Sequence, residues 1–233
     1  MESFVRRLKY YGIGFGFGLL FVFFFFQNRG CSWLPSNRVK NSIMERLIVI
    51  PDAQMEALKA SGYSKKDVVE LLNDGDVDFS ESRKQTNPKV YLIQKEMKNG
   101  KQLDLFFTLP NESFLSEVHF SEKKAATVKN TKVGKGVIAF FPKDDDLVFL
   151  DSTELLTCQK SALKIANPRE VLRHIKKSGQ INFAKTNYAS KPKVEQYIEF
   201  KDKQGRLIGC QSVWYKNKID VISFDLPFKS DCR

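Results

Sequence analysis

Residues 10 to 26 read YYGIGFGFGLLFVFFFF, with no charged side chain and no amide. After that run the apolar positions either alternate with polar ones or recur every three to four residues. As a helix, the 17 residues from Tyr10 to Phe26 extend about 26 Å, near the lower limit for a hydrocarbon core about 30 Å thick. Arg6, Arg7 and Lys9 precede the run, and Gln27, Asn28 and Arg29 follow it. The pattern predicts a transmembrane helix over 10–26. A cleaved signal peptide needs small residues at its cleavage site, which FFFFQNRGCSW does not supply. A lipoprotein signal needs apolar and small residues before Cys31, where Asn28, Arg29 and Gly30 stand. A buried core helix is the remaining alternative, but a run apolar on every face suits lipid better.

The rest of the chain repeats itself. Ser64 opens SKKDVVELL and Asn167 opens NPREVLRHI, two helix starts 103 positions apart. Each has a capping residue, an acid three residues on and an apolar stripe: Val68, Leu71 and Leu72 in one, Val171, Leu172 and Ile175 in the other. A glycine follows each, then alternation: Gly75, Val77 and Phe79 against Gly179, Ile181 and Phe183. Pro88 matches Pro192, Val90 matches Val194, and a turn at Asn99 and Gly100 matches one at Gln204 and Gly205 with one residue inserted. SEVHF (116 to 120) matches DVISF (220 to 224), and RLIVIPDAQMEALKA loosely matches DLVFLDSTELLTCQK.

Helices ahead of an antiparallel meander predict an α+β fold, with helices packed on the sheet. The expected organisation is an N-terminal transmembrane helix followed by two tandem related domains. The boundaries are a tail over 1–9, the helix over 10–26, a stalk over 27–41, a first repeat over 42–128, a linker or extra hairpin over 129–144, and a second repeat over 145–233. A merged single sheet is the alternative to two bodies. The positive-inside rule is nearly balanced between the flanks, and a long following domain translocates largely regardless of its own charge. The expected localisation is therefore a single-pass membrane protein with the N-terminus cytoplasmic and the C-terminal domains extracytoplasmic. Lipid contact through 10–26 follows, and Gly12 with Gly16 has the spacing of a helix-dimer contact, a homodimer being one reading of it.

DGDVDFSESR (74 to 83) begins like a calcium loop, with Asp74, Asp76 and Asp78. However, Phe79 stands where that loop needs glycine and Gln85 where it needs its closing glutamate. In a strand, Asp76, Asp78 and Ser80 fall on the wet face and Val77 and Phe79 in the core. The second copy keeps the apolar half and replaces the acids with Gln180 and Asn182. No metal site, cofactor site or catalytic residue is expected.

A net charge of +11 suits an anionic partner without choosing one. The candidate surface is KKAATVKNTKVGK (123 to 135) with Lys185, Lys191 and Lys193, and Tyr188 as a stacking aromatic. Plain solubility is the first reading of it, contact with a protein or an anionic surface the second, and nucleic acid, which calls for more interleaved aromatics, the third. Cys31, Cys158, Cys210 and Cys232 lack C-x-x-C spacing, and with only His119 and His174 besides, a zinc site is poorly supported. A bridge among Cys158, Cys210 and Cys232 is plausible, with its pairing open. Walker, Rossmann, zincin and nucleophile-elbow motifs are absent from the sequence.

The order of apolar run, Cys-containing stalk ending in NRVKN, helix pair, NDGDVDFS and hairpins resembles membrane-anchored bacterial members of domain-of-unknown-function family 4258. The resemblance covers residues 4 to 128, with the second unit a diverged copy. It implies a distant likeness to RelE and barnase-like toxin ribonucleases, whose first helix carries a histidine-alanine pair and an arginine three residues after the alanine. Here PDAQMEA keeps Ala53 but has Asp52 and Glu56 at the other two places. Two carboxylates there reverse the charge that a phosphate would meet. His174, beside Arg173 and Lys176, reads as a solvated helix face. The functional expectation is a non-catalytic binding or interaction module. The alternative is a degenerate or relocated RelE-like ribonuclease acting on RNA.

Overall fold

Along the chain the described elements are helices α1 (Glu2–Gln27) and α2 (Pro35–Met44), strand β1 (Leu47–Pro51), helices α3 (Asp52–Ala60) and α4 (Lys65–Asp74), and strands β2 (Asp76–Arg83), β3 (Lys89–Glu96), β4 (Gln102–Leu109) and β5 (Leu115–Phe120). There follow a 3-10 turn (Ala125–Thr127), strands β6 (Lys135–Phe140) and β7 (Val148–Leu150), helices α5 (Glu154–Leu163) and α6 (Pro168–Ser178), and strands β8 (Gln180–Asn182), β9 (Glu195–Lys201), β10 (Leu207–Trp214) and β11 (Ile219–Asp225). The computed structural model describes residues 2–27, 34–120, 124–142, 148–216, 218–228 and 231–232. The chain divides into two units, 1–38 and 39–233.

In the first unit, α1 exposes its apolar side chains, and a Cβ added at Gly12 or Gly16 meets nothing within 4 Å. Among the described residues no helix is long and apolar enough to cross a membrane. The charge-free run covers 17 residues, about 26 Å of helix, against a hydrocarbon core about 30 Å thick. A longer window draws in Lys9, Arg7 and Arg6 on the N-terminal side. This overturns the expected transmembrane helix over 10–26. The single-pass membrane localisation and its orientation fall with it.

The second unit is built on one sheet of eleven strands in the order β2-β3-β4-β5-β1-β6-β8-β9-β10-β11-β7. This corrects the expectation of two tandem domains: the two copies share a sheet. The reason lies in β1. It pairs in parallel with β5 on one side, and its other side would be a bare row of N–H and C=O groups. The connecting segment fills that row, because β6 runs antiparallel to β1 (Val49 opposite Ile138, Ile50 opposite Val137) and antiparallel to β8 (Lys135 opposite Asn182). Gly136 sits at the tightest point, where a Cβ would lie 2.6 Å from Val49 Cγ1 and 2.8 Å from Phe183 Cε2.

Each half follows strand, two helices and four strands, with the first strand parallel to the last: β1 beside β5, and β7 beside β11. Strand directions reverse between the halves, so the second is turned over relative to the first. The cores show the same inversion. Ile48 and Ile50 face a cluster with α3 and α4, whereas Leu47 and Val49 face one with α5 and α6 on the other side of the sheet.

Local chemistry repeats as well. Ser64 and Asp67 form a capping box on α4, with Ser64 N–H donating to Asp67 Oδ2 at 2.7 Å, and Asn167 Oδ1 accepts from Arg169 N–H at 2.9 Å on α6. Gly75 and Gly179 end these helices, and at each an added Cβ would lie 2.5 Å from the carbonyl oxygen four residues back. Gln54 on α3 accepts from the Phe120 N–H at 2.7 Å. Gln159 on α5 accepts from the Phe224 N–H at 2.8 Å and donates to the Phe224 carbonyl at 2.9 Å. Both glutamines anchor the end of the strand parallel to the first. The inserted residue of the second copy lies upstream of the turn, since Ile93 opposite Val77 already corresponds to Ile198 opposite Ile181, 105 positions on.

Cys158 on α5 is bridged to Cys232, and Cys210 is a buried thiol. Cys31 lies outside the described residues.

Two stability changes are expected. Gly136→Ala should lower the unfolding free energy by about 1–3 kcal/mol through overpacking, read by urea denaturation. Cys232→Ser opens a loop closed over 74 positions and should cost about 4 kcal/mol, with reductant reproducing the loss in the parent chain and changing the variant little.

Candidate binding face

On β9, Ile198 and Phe200 enter the core beneath α5 and α6, so Tyr197, Glu199 and Lys201 point to the opposite side of the sheet. In the first half the equivalent side is apolar and closed. There Val90, Leu92 and Phe106 pack against Ala125 and Val128 of the connecting segment. Arg83 holds that segment down by donating to the carbonyls of Ala126 (2.9 Å) and Val128 (3.1 Å). In the second half the face is polar. Lys135 Nζ donates to Glu199 Oε2 at 2.6 Å, and Asn182 Nδ2 donates to Glu199 Oε1 at 2.9 Å. The Tyr197 hydroxyl donates to Asp225 Oδ2 at 2.6 Å, and Lys185 Nζ lies 4.6 Å from the Tyr197 ring centroid. Glu195 accepts from Ser190 Oγ, Asn187 Nδ2 and Gln211 Nε2.

Gly209 makes this possible, because a Cβ there would lie 2.0 Å from the Tyr197 hydroxyl oxygen. With that space open, the tyrosine crosses β10 to reach Asp225. An isolated glycine inside a strand marks such a close approach, and it is the signal by which this face was legible but missed.

The electrostatics are those of fixed pairs. Burial alone would push the Glu199 carboxyl up, but the hydrogen bonds from Lys135 and Asn182 outweigh it and hold it below the ordinary glutamate range. Burial, then the Asp225 contact, pushes the Tyr197 hydroxyl up, so it remains a hydrogen-bond donor. The Ser190 hydroxyl, ahead of Asn187 and Gln211, holds Glu195 down. Acid-base catalysis near neutrality wants a group poised between its two forms, and these shifts run away from that point. The Lys135 side chain is 42% exposed over Glu199, which is 7% exposed, and Lys185, 52% exposed, lies 3.8 Å from Asp225, which is 64% exposed.

The predicted basic surface is divided by the sheet. Lys185 and Lys135 lie on the polar face. Tyr188 turns to the other side, into a small cavity with Phe183, Val194, Gln196 and Glu117, where its hydroxyl donates to the Thr131 carbonyl at 2.7 Å and Lys132 approaches its ring. Lys193 donates to the Asn111 carbonyl and Lys191 is exposed. Lys123 lies outside the described residues.

The acids of 74 to 78 serve local structure. Asp74 pairs with Lys95 at 3.1 Å. Asp76 is exposed, and Asp78 Oδ1 accepts from Ser80 N–H at 2.8 Å and Glu81 N–H at 3.1 Å where β2 bulges. Phe79 is half-buried under Lys84 rather than a core residue. Asn182, expected on a wet face, is buried against Glu199 because β8 is an interior strand. An aspartate there would set two carboxylates together. Among the described residues no group of three or more His, Cys, Asp or Glu is placed to hold a metal.

Asp52, Ala53 and Glu56 are exposed on α3. On α6, Arg173 is exposed, His174 stacks on Phe200 at 6.3 Å and Lys176 lies over Phe141 at 5.0 Å, so the three reach different surroundings. His119, near Glu117 at 3.4 Å, is buried on β5. Burial pushes the Cys210 thiol up to about 12, which removes it as a nucleophile near neutrality. No family model, curated protein or solved structure matches this chain.

The depressed Glu199 carboxyl contributes stability above the ordinary glutamate range and loses it as pH falls through the lowered value. Lys135→Met removes the donor that opposes burial. The Glu199 pKa should then rise, and the acid loss of stability should begin at a higher pH. Thermal melts across pH, with an NMR titration of the Glu199 carboxyl carbon, check both the sign and the residue.

Proposed function

We propose that the chain is a non-catalytic binding module that presents the polar face of its second half to an acidic segment of a protein partner. The observation that carries this reading is the pair of partly exposed lysines on that face, Lys135 and Lys185. Lys135 stands over a buried, satisfied Glu199 carboxylate, and Lys185 lies beside Tyr197 and 3.8 Å from Asp225. Such a surface offers two cations to a partner while its own carboxylates are held, Glu199 by Lys135 and Asn182 and Asp225 by Tyr197. The net charge of +11 steers association with acidic chains in the same sense. The contrast between halves supports it: the first half covers the equivalent face with its own connecting segment, and the second leaves it polar. The alternative, a ribonuclease working through Arg173, His174 or Lys176, gains nothing from their separate surroundings.

Fluorescence anisotropy with the full chain and a glutamate-rich peptide, its glutamine counterpart and a single-stranded RNA tests the reading. The glutamate peptide should bind, weaken with added salt, and lose about two- to fivefold in affinity in Lys185→Gln, as expected for one exposed charge pair. Equal affinity for the glutamine peptide, or none lost in Lys185→Gln, overturns the proposal. Cleavage of the RNA favours the ribonuclease reading instead.

A further inference from the structure

On the helix side of the second half, away from the polar face, the end of α5, the first turns of α6 and the β9–β10 turn enclose a cleft of about 140 Å³. Its floor is apolar: Leu163, Ile165, Val171, Phe200 and Ile208. A closed cavity of about 150 Å³ holds a benzene molecule, so this volume suits one aromatic ring or a short aliphatic chain.

The rim decides what kind of molecule. Its two carboxylates are already engaged. Glu170 is ion-paired with Lys203 and accepts from the Ala166 N–H. Asp202 accepts from Arg206 Nε at 2.7 Å and from the backbone N–H groups of Gln204 and Arg206. Gln204 accepts from Arg206 Nη2 at 3.3 Å through Oε1, and Lys164 and His174 complete the nitrogen-bearing rim. Among the described residues the Lys164 ammonium has no hydrogen-bond or ion-pair partner, and the His174 ring is held against Phe200 by stacking, within electrostatic reach of Glu170.

Lys164 also occupies an unusual backbone position. It caps α5 in the left-handed conformation, φ 55° and ψ 39°, and among the described residues it is the one non-glycine with positive φ. Glycine fits that position without the Cβ clash that a lysine meets. The position therefore places a cationic side chain at the mouth of an apolar cleft, at a conformational cost that glycine would avoid.

We infer that this cleft binds a small apolar monocarboxylate, its ring or short chain among Leu163, Val171 and Phe200 and its carboxylate at Lys164 and His174. Charge complementarity selects the anion, because the Lys164 ammonium is unengaged while the rim carboxylates Glu170 and Asp202 are held by Lys203 and Arg206. The inference is independent of the acidic-peptide face, which lies across the sheet.

Calorimetry on the full chain tests it with three probes sharing one ring: phenylacetate, benzyl alcohol and benzylamine. Phenylacetate should bind most tightly and benzylamine least. In Lys164→Gly, phenylacetate affinity should fall about three- to fivefold, the size of one exposed charge pair, while the melting temperature holds or rises because glycine relieves the left-handed strain. That opposite movement separates loss of the ligand contact from loss of fold. Ile165→Trp, which fills the mouth, should remove binding of all three probes. No saturable binding of phenylacetate overturns the site. Equal affinity for phenylacetate and benzyl alcohol, or an unchanged affinity in Lys164→Gly, overturns its assignment to anions.

Discussion

A strand's backbone has two hydrogen-bonding edges, and leaving either one bare in the middle of a protein is costly. In the unit spanning 39–233 this requirement acts at β1, whose inner edge is taken by β5 and whose outer edge is taken by β6. Because β6 also pairs with β8, closing the first copy's edge opens the second copy's sheet at the same place. Gly136 lets Val49 and Phe183 approach across this seam, so the join is packed as well as hydrogen-bonded. The division of faces between the two copies follows from the direction in which β6 runs.

Since the second copy is turned over, each face of the sheet carries the helices of one copy and the uncovered strands of the other. The uncovered face of the first copy is sealed by Ala125 and Val128. That of the second has polar groups satisfied by one another around Glu199, Tyr197 and Glu195. A buried charge is tolerated only with partners, and here Asn182 and Lys135 supply them. The same constraint explains why the acids of the first copy do not recur. β2 is an edge strand where Asp78 can turn back on its own backbone, and β8 is interior and faces a glutamate.

Much of the fold was legible because it is local. Capped helix starts at Ser64 and Asn167, terminating glycines at Gly75 and Gly179, and the apolar stripes of α4 and α6 depend on residues within a few positions of one another. The repetition at 103 to 105 positions was legible for the same reason, since each copy writes its own local code. The Gln54 and Gln159 anchors were not, because a helix glutamine meeting a strand end 65 or 66 positions away leaves no periodic trace. The apolar run at 10–26 was over-read: the pattern registers a missing charge, whereas crossing a bilayer also requires length, and among the described residues no helix is both long and apolar enough.

By itself, then, the sequence determined which segments form helices and strands and that the later part of the chain is written twice, because capping, turn chemistry and periodicity act over a turn or two of backbone. Only the tertiary structure decided that the copies share one sheet, that the basic positions part to opposite sides at Tyr188 and Lys185, and that Lys164 stands at the mouth of a cleft. Those outcomes rest on which strand fills a distant edge and which face then turns toward which core, and a one-residue change of strand alternation exchanges the faces.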